Sequence, residues 1–333
     1  MEISYIPKYS LVVDYIKSQI CRGKYRVGEI LPGQRILADI LSLSRPSVKR
    51  AIDLLVQEGI LECNPSIGSI VKALPVDRIL IGYQVPELQD PFHLELIREL
   101  DILLHRYHGA LIVLQGADDS RLHNMGISHA VKHHTLHIDG QPDRVKTVYT
   151  GDVKGKVNMV VSDVCSGMIQ ICDHLRGLGH RILGYASPFR ELEDFQFQPL
   201  YETATKEKVL IPEEYRFLAD PLDRASCERV IQCIMKANQP PTALVCYNDW
   251  LAIAIMEEAK RLGLDIPDQL SITGYDDLYV SSLLQTPLTT VQFSRKETAE
   301  KIVKILLSHE APESARETVQ TKLIIRDSTK AVH

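Results

Sequence analysis

The sequence predicts an α/β protein in which a small helical domain with a two-stranded wing precedes two lobes built on parallel sheets. Near-continuous apolar strands such as Ile79–Tyr83 and Ala110–Leu114 alternate with amphipathic helices, which is typical of parallel strands with helices on both faces. The chain of 333 residues is also too long for one ordinary core, so we expect more than one domain.

The overall composition is that of a folded protein, with 45% hydrophobic and 24% charged residues. No apolar run reaches the roughly 18 residues that a membrane helix needs, and the N-terminus lacks the basic and apolar regions of a signal peptide. We therefore expect a cytoplasmic protein. The seven cysteines include no C-x-x-C pair, which favours reduced thiols.

The charge is distributed unevenly along the chain. The net charge is −5 overall, but residues 1–72 carry 10 Lys and Arg against 7 Asp and Glu, whereas the remainder carries 28 against 36. A mildly basic head on an acidic body fits a small DNA-binding domain joined to a larger domain that binds something else.

Three predicted helices and a wing make up this head. An amphipathic helix begins near Tyr9, a short helix covers Gln34–Leu41, and a third helix runs from Arg45 to Glu58. Ser44 precedes the third helix and can cap it, because a hydroxyl oxygen accepts a hydrogen bond from the first helical turn. Two short strands around residues 64–68 complete a winged helix-turn-helix pattern.

The amino-terminal end of the third helix carries side chains suited to DNA. Arg45 and Lys49 are four residues apart and share one face of the helix, and an arginine can bond a guanine edge through two hydrogen bonds. Ser44, Ser47 and the helix N-terminus can bind phosphate. We therefore predict that this helix enters the major groove.

Motifs across residues 9–72 resemble the winged helix of the GntR family. They are Gly23-x-Tyr25-x-x-Gly28, Leu31-Pro32-Gly33-Gln34-Arg35, Ser44-Arg45-x-x-Val48, Glu58-Gly59-Ile60-Leu61 and Gly68-Ser69-x-Val71. The resemblance implies that Arg35 and Arg45 contact DNA, with Arg45 as the main base-contacting arginine, and that Gly68 belongs to the wing. No Lys or Arg lies between Glu62 and Ile70, so we expect weaker wing contacts than the family usually makes. The alternatives are a generic three-helix domain with surface arginines and a winged helix that binds protein.

A predicted linker at residues 73–78 contains Pro75 and leads into a predicted sensing domain at residues 79–333. We expect its first lobe at about 79–161 and 292–320, and its second lobe at about 162–291 and 321–333. Lobe closure could change the spacing of two heads in a dimer through so short a linker.

Polar and aromatic side chains follow several predicted strands of this domain. In open α/β folds such positions face a cleft. Carboxylates and amides bond adjacent hydroxyls, and aromatic rings cover the C–H side of a sugar, so we expect a hydroxyl-rich ligand. The candidate residues are Asp90, Phe92, Asp163, Asn248 and Asp276.

Residues 78–333 resemble the effector domain of the LacI/GalR family, which is similar to periplasmic sugar-binding proteins. The motifs are His174-Leu175-Arg176-Gly177-Leu178-Gly179-His180, Asn248-Asp249-x-x-Ala252, Gly274-Tyr275-Asp276-Asp277 and Thr286-Pro287-Leu288-Thr289-Thr290-Val291. The resemblance implies a two-lobed, periplasmic-binding-protein-like domain with Rossmann-like lobes. It also implies ligand contacts at Asn248 and Asp276, and a homodimer on a two-fold operator.

One stretch departs from that family, whose members usually place a sugar-binding arginine after the strand that follows Gly-His. Counting without gaps from Pro188 places Phe197 at that position, and Arg190 is the last arginine before Arg216. An aromatic ring there would remove five donors, although Arg190 could still supply a cation. We therefore expect a neutral monosaccharide, such as a pentose or deoxyhexose, as the ligand.

The segment between about Gly116 and Lys156 fits the family poorly and is rich in histidine. His129 and His133 are four residues apart, a spacing that metal sites use on a helix, but no carboxylate or thiol completes a clear set. We expect a solvated, irregular helix, and neither a metal nor a cofactor. The histidines are His123, His129, His133, His134 and His137.

These features together predict a DNA-binding transcription regulator, a repressor that a small ligand controls. An enzyme is the main alternative class, but the chain has no P-loop, no G-x-G-x-x-G after a strand, no G-x-S-x-G and no His-Glu-x-x-His. We therefore expect no catalytic activity. The other alternative is a cytoplasmic sugar-binding or carbohydrate-processing protein whose winged helix does not bind DNA.

Overall fold

The computed structural model describes residues 7–21, 24–65, 67–72, 79–107, 109–137, 145–190, 196–308 and 314–332. The predicted linker at residues 73–78 lies outside them. The chain divides into two compact units, Met1–Leu80 with Leu104–Ala110, and Ile81–Leu103 with Leu111–His333. In the described ranges, no helix is long and apolar enough to cross a membrane.

The head consists of α1 (Lys8–Cys21), α2 (Gln34–Leu41), α3 (Arg45–Gln57), β1 (Leu61–Asn64) and β2 (Gly68–Val71). The two strands pair antiparallel and form the wing. The three helices bury apolar positions spaced three or four residues apart, the pattern of an amphipathic helix. The buried core includes Val12, Ile16, Leu37, Val48, Ile52, Leu55 and Val71.

Local signals set the ends of α3. The Ser44 side chain accepts a hydrogen bond from the backbone N–H of Ser47 at 3.4 Å, and Pro46 lies in the first turn, where no N–H is needed. Gly59 follows the last turn with φ of +74°, a conformation that glycine adopts without strain. The predicted winged helix-turn-helix is confirmed.

The rest of the chain alternates strands and helices. In chain order these are β3 (Leu80–Val85), α4 (Pro91–Arg106), β4 (Ala110–Gln115), α5 (Asp119–Asn124), β5 (His129–His133), β6 (Lys146–Thr150), β7 (Asn158–Ser162), α6 (Val164–Gly177), β8 (Leu183–Ser187), α7 (Phe197–Lys206), β9 (Arg216–Leu218), α8 (Arg224–Lys236), β10 (Ala243–Cys246), α9 (Asp249–Leu262), β11 (Ser271–Thr273), β12 (Thr290–Phe293), α10 (Arg295–Leu307), β13 (Arg316–Val319) and β14 (Thr321–Ile324).

Two parallel sheets organise these elements into two lobes, as the sequence predicts. The first lobe has six strands in the order β13-β7-β6-β5-β3-β4, and α10 packs on β5, β6, β7 and β13. The second lobe has four strands in the order β11-β10-β8-β9. The strands β12 and β14 pair antiparallel with each other. The chain passes between the lobes after β7, after β12 and after β13.

The histidine-rich segment is not the irregular helix that the sequence suggests. Residues 129–133 form β5, which pairs in parallel with both β3 and β6. The side chains of Ala130 and Val131 are buried, and their apolar, partly β-branched character favours a strand. Residues four apart share a side in a strand as well as in a helix, so the spacing of His129 and His133 did not distinguish the two.

Candidate functional sites: the DNA-reading face and the ligand cleft

The amino-terminal end of α3 is polar and positively charged. Arg45 and Lys49 are exposed, and neither forms an ion pair with any residue that the structure describes. The Ser44 and Ser47 hydroxyl oxygens lie 2.9 Å apart. This end of the helix can therefore offer two cations, two hydroxyls and backbone N–H groups to a nucleic acid.

The other predicted DNA contacts lie on α2 and in the wing. Arg35 is the second residue of α2 and is exposed. Gly68 begins β2, is exposed, and has φ of +114°. Arg50 behaves differently from Arg45, because its guanidinium lies 4.4 Å from the centroid of the Tyr9 ring and so helps to hold α1 against α3.

A cleft of about 880 Å³ lies between the two lobes. Its walls come from the carboxyl ends of parallel strands in both sheets, where open α/β folds bind ligands. First-lobe walls follow β3, β5, β6 and β7, and second-lobe walls follow β8, β10 and β11. The first residues after these strands that line the cleft are Pro86, His134, Gly151, Asp163, Pro188, Tyr247 and Tyr275.

Asp90 and Phe92 line the cleft from the first lobe, as expected. Asp90 Oδ1 accepts a hydrogen bond from the Phe92 N–H at 2.9 Å. Burial raises the pKa of Asp90, and this hydrogen bond and the charge of Arg295 oppose that rise. The Phe92 ring lies 6.1 Å from the Phe293 ring, so two aromatic faces form an apolar wall beside the carboxylate.

Asp163 and Asn248 also line the cleft, and each caps a helix. Asp163 accepts from the Ser166 N–H at 3.1 Å, and Asn248 Oδ1 accepts from the Leu251 N–H at 2.9 Å. Capping is the ordinary role of such residues, but it uses one oxygen of each side chain. Among the described residues, none bonds the second Asp163 oxygen or the Asn248 amide nitrogen, so both can bond a ligand.

Asp276 lies where the second lobe meets the crossover strand β12. Its backbone N–H donates to Val291 O at 2.8 Å, and its φ is +114°. Burial raises the pKa of the Asp276 carboxyl well above its usual range, and the nearby Arg295 guanidinium opposes the rise. The structure thus brings Asp90, Phe92, Asp163, Asn248 and Asp276 to one cleft.

The structure does not bring Phe197 or Arg190 to the cleft, which corrects the expectation for both. Phe197 is 4% exposed and packs beside Tyr185 and Tyr201, with the Arg216 guanidinium 5.2 Å from its ring. It begins the buried face of α7, where an apolar residue is needed, and Gln196 lines the cleft instead. Arg190 is exposed and is not among the described lining residues.

Several cleft residues were not anticipated from the sequence. Phe189, Tyr247 and Trp250 line the second-lobe wall, and the rings of Phe189 and Tyr247 lie 5.1 Å apart. Phe189 and Tyr247 lie just beyond the ends of β8 and β10, so the strand-end rule that selected Asn248 could have found them.

The charged groups of the cleft are mostly acidic. Among the described lining residues, Arg316 is the single Lys or Arg. It donates to both carboxylate oxygens of Asp152, at 2.6 and 2.9 Å, which lowers the pKa of Asp152. The lining carboxylates are Glu87, Asp90, Asp152, Asp163, Asp220 and Asp276. The cleft therefore offers many hydrogen-bond acceptors and aromatic faces, and its one guanidinium is already paired.

Two histidines complete the first-lobe wall, His133 and His134. Burial lowers the pKa of His134 to about 4 and that of His133 well below its usual range, so both rings are neutral at pH 7. No group of three His, Cys, Asp or Glu side chains in the described segments is arranged to hold a metal ion.

Comparison with known proteins separates the same two parts. Residues 8–71 match the gntR family of bacterial regulatory proteins, and residues 172–329 match the periplasmic binding protein-like domain. The arabinose metabolism transcriptional repressor of Geobacillus stearothermophilus is 24% identical over 362 residues, covering 98% of this chain and 99% of that protein. The HTH-type transcriptional repressor CytR of Escherichia coli K12 is 24% identical, covering 74% of this chain and 78% of its own.

Solved structures also match about three quarters of the chain. The crystal structure of a LacI family transcriptional regulator from Enterococcus faecium with bound ribose has a TM-score of 0.66 at 17% identity. The match covers 76% of this chain and 100% of that one. It shows that the two lobes have the LacI-type fold.

The head, the cleft and these comparisons define a ligand-controlled, DNA-binding transcriptional repressor. More particularly, the chain joins a head that matches the gntR family to a domain that matches the periplasmic binding protein-like domain, and two arabinose metabolism transcriptional repressors match it over nearly its whole length.

Proposed function

We propose that this repressor binds its operator as a cytoplasmic homodimer and is released when a neutral monosaccharide occupies the cleft. One observation carries the ligand class: the described lining combines acceptor carboxylates with aromatic rings, and its one guanidinium is bound to Asp152. Names of similar proteins support a sugar, because one is an arabinose metabolism repressor and another structure contains ribose.

The electrostatics disfavour an anionic ligand. A phosphate or carboxylate would enter a cleft whose charged lining is mostly acidic, and each uncompensated like charge at close range is repulsive. Hydroxyl groups instead donate to carboxylates and accept from amides. The preference for an uncharged sugar, first expected from Phe197, thus rests on Asp152 and Arg316.

The head fits operator recognition through α3. We propose that Arg45 reads a base edge, that Lys49, Ser44 and Ser47 hold nearby phosphates or bases, and that Arg35 binds the backbone. Gly68 would let the wing approach the DNA closely. No catalytic step or cofactor is needed for this function.

Calorimetry with a sugar panel tests the ligand class. We expect at least one of L-arabinose, D-ribose, L-fucose and L-rhamnose to bind much more tightly than glucose 6-phosphate or glucuronate. Asp276→Asn should weaken sugar binding by about 10-fold or more, because the amide replaces one acceptor oxygen with a donor nitrogen. Asp173→Asn, an exposed aspartate on α6, is the matched control. Binding of the anionic sugars alone would refute the proposal.

A further inference from the structure

Arg295 lies beneath the cleft and contacts two of its aromatic residues. It is the first residue of α10 and is 8% exposed. Its guanidinium carbon lies 4.1 Å from the Phe293 ring centroid and 4.6 Å from the Phe92 ring centroid. A guanidinium at such distances attracts the ring face, so Arg295 helps to hold both rings, and it is not itself among the described lining residues.

The same guanidinium bonds to the other lobe. Nη2 donates to the backbone oxygen of Asp276 at 2.8 Å and lies 3.8 Å from its carboxylate. Arg295 belongs to α10, which packs on the first-lobe sheet, whereas Asp276 follows β11 of the second lobe. One side chain therefore contacts the aromatic wall of one lobe and the carboxylate segment of the other.

Glu95 makes a second bond between the lobes at the same place. It lies on α4 of the first lobe, and its Oε1 accepts a hydrogen bond from the backbone N–H of Tyr279 in the second lobe at 2.8 Å. Its Oε2 lies 3.9 Å from Arg295 Nε. Glu95 and Arg295 thus join α4 and α10 to the segment 276–279.

We infer that Arg295 is a positioning residue of the ligand site, which sets Phe92 and Asp276 at their places and, with Glu95, holds the two lobes together beside the cleft. The inference rests on the proposed function, in which Asp90, Phe92 and Asp276 contact the sugar. A ligand that touches both lobes needs them close together, and closing them costs free energy. Contacts that already hold the lobes together reduce this cost.

The charge of Arg295 has a second effect on the same site. Burial raises the pKa of Asp90 and Asp276, and Arg295 lowers both. Around Asp276 the other charged groups are Asp249, Asp90 and Glu95, all of which raise its pKa; His93 and Tyr83 lie beside Asp90. Without the guanidinium, more of each carboxyl would be protonated at neutral pH, and an acid is a weaker acceptor.

Hydrogen exchange of the full-length, ligand-free protein tests the lobe contact directly. We expect Arg295→Met and Glu95→Gln to speed amide exchange at least several-fold in the peptide that contains Tyr279. Arg295→Met loosens Glu95, which accepts from that N–H, and Glu95→Gln replaces the charged acceptor with a weaker neutral one. Arg216→Met is the matched control, since Arg216 also stacks on two rings and bonds a backbone carbonyl, and these three partners all lie in the second lobe. Unchanged exchange in both Arg295→Met and Glu95→Gln would overturn the inference.

Calorimetry with L-arabinose and D-ribose tests the effect on binding. Arg295→Met should weaken binding by roughly 10-fold near pH 7, with a loss that shrinks as the pH rises because more of each carboxyl ionises. Arg295→Lys should recover part of the affinity, since it restores the charge. A loss that is the same at every pH and is not recovered by lysine would contradict the positioning role. If neither sugar binds the wild-type protein, the proposed ligand class fails, and the exchange experiment alone decides the role of Arg295.

Discussion

Asp152→Asn should change which sugars the cleft accepts without unfolding the protein. The Asp152 carboxylate binds the Arg316 guanidinium, and the two side chains are 46% and 52% exposed. An ion pair this exposed contributes only about 0–1 kcal/mol to folding. The substitution therefore leaves the fold intact and adds one positive charge to the cleft wall.

The size of the effect follows from Coulomb's law. In the wild-type protein, an anion near Arg316 lies beside the Arg316–Asp152 ion pair, whose net charge is zero. In Asp152→Asn it meets an uncompensated cation. At a separation of about 6 Å and an effective dielectric constant of about 40, one unit charge contributes about 1.4 kcal/mol, which is about 10-fold in dissociation constant.

Calorimetry with glucuronate, glucose 6-phosphate and L-arabinose measures this change. We expect Asp152→Asn to bind the two anions about 10-fold more tightly than the wild-type protein at low salt, with a smaller gain at high salt because ions screen the interaction. L-Arabinose should be affected little. Asp173→Asn removes the same charge from an exposed pair with Arg176 and should change none of the three. Unchanged anion affinity in Asp152→Asn would refute the account of sugar selectivity.

Three further predictions concern the head, the second-lobe core and acid stability. Arg45→Ala should reduce the binding free energy by about 1–3 kcal/mol at the operator and little on random DNA. Arg35→Ala should weaken binding to both DNAs and reduce the salt dependence of binding. Fluorescence anisotropy measures both effects, and equal losses on the two DNAs for Arg45→Ala would exclude base reading by Arg45. Phe197→Arg should lower the free energy of unfolding by about 3 kcal/mol or more, because it buries a charge in the core. Thermal denaturation measures this, and an unchanged melting temperature would show that Phe197 lies outside the core. Burial lowers the pKa of His93 to about 3, so the native protein binds fewer protons than the unfolded chain and loses stability as pH falls from about 6.5 towards that value. Relative to wild type, His93→Gln should gain up to about 3 kcal/mol between pH 6.5 and pH 4, and parallel stability curves for the two proteins would refute this.

Local sequence signals predict much of the fold and part of the cleft. The apolar strands ending at Ser162, Cys246 and Thr273 are followed by polar residues, and parallel strands place such residues at one edge of each sheet. That rule is sufficient to bring Asp163, Asn248 and Asp276 to the cleft. The rule has a physical reason, because a fully buried strand can contact solvent or a ligand only at its ends.

Positions without such a signal were missed or misplaced. Counting along the sequence misplaces Phe197, because a count without gaps does not reveal where α7 begins. Histidine spacing alone misidentifies the strand at His129–His133 as a helix, because that spacing suits both. Arg295 is the first residue of a helix, and the local sequence there shows nothing unusual. Its contacts with Phe92 and Asp276 join segments about 20 to 200 residues apart, and only tertiary packing creates such contacts.

The central claim is that a sugar in the cleft controls operator binding by the head. Fluorescence anisotropy of the full-length protein on DNA from upstream of its own gene, with and without a saturating neutral sugar, tests it most directly. A coupling of about 1–3 kcal/mol predicts that the sugar weakens operator binding about 5- to 150-fold. Asp276→Asn should bind the operator normally but need about 10-fold or more sugar for the same release. Operator affinity that is unchanged or increased at saturating sugar would contradict the account.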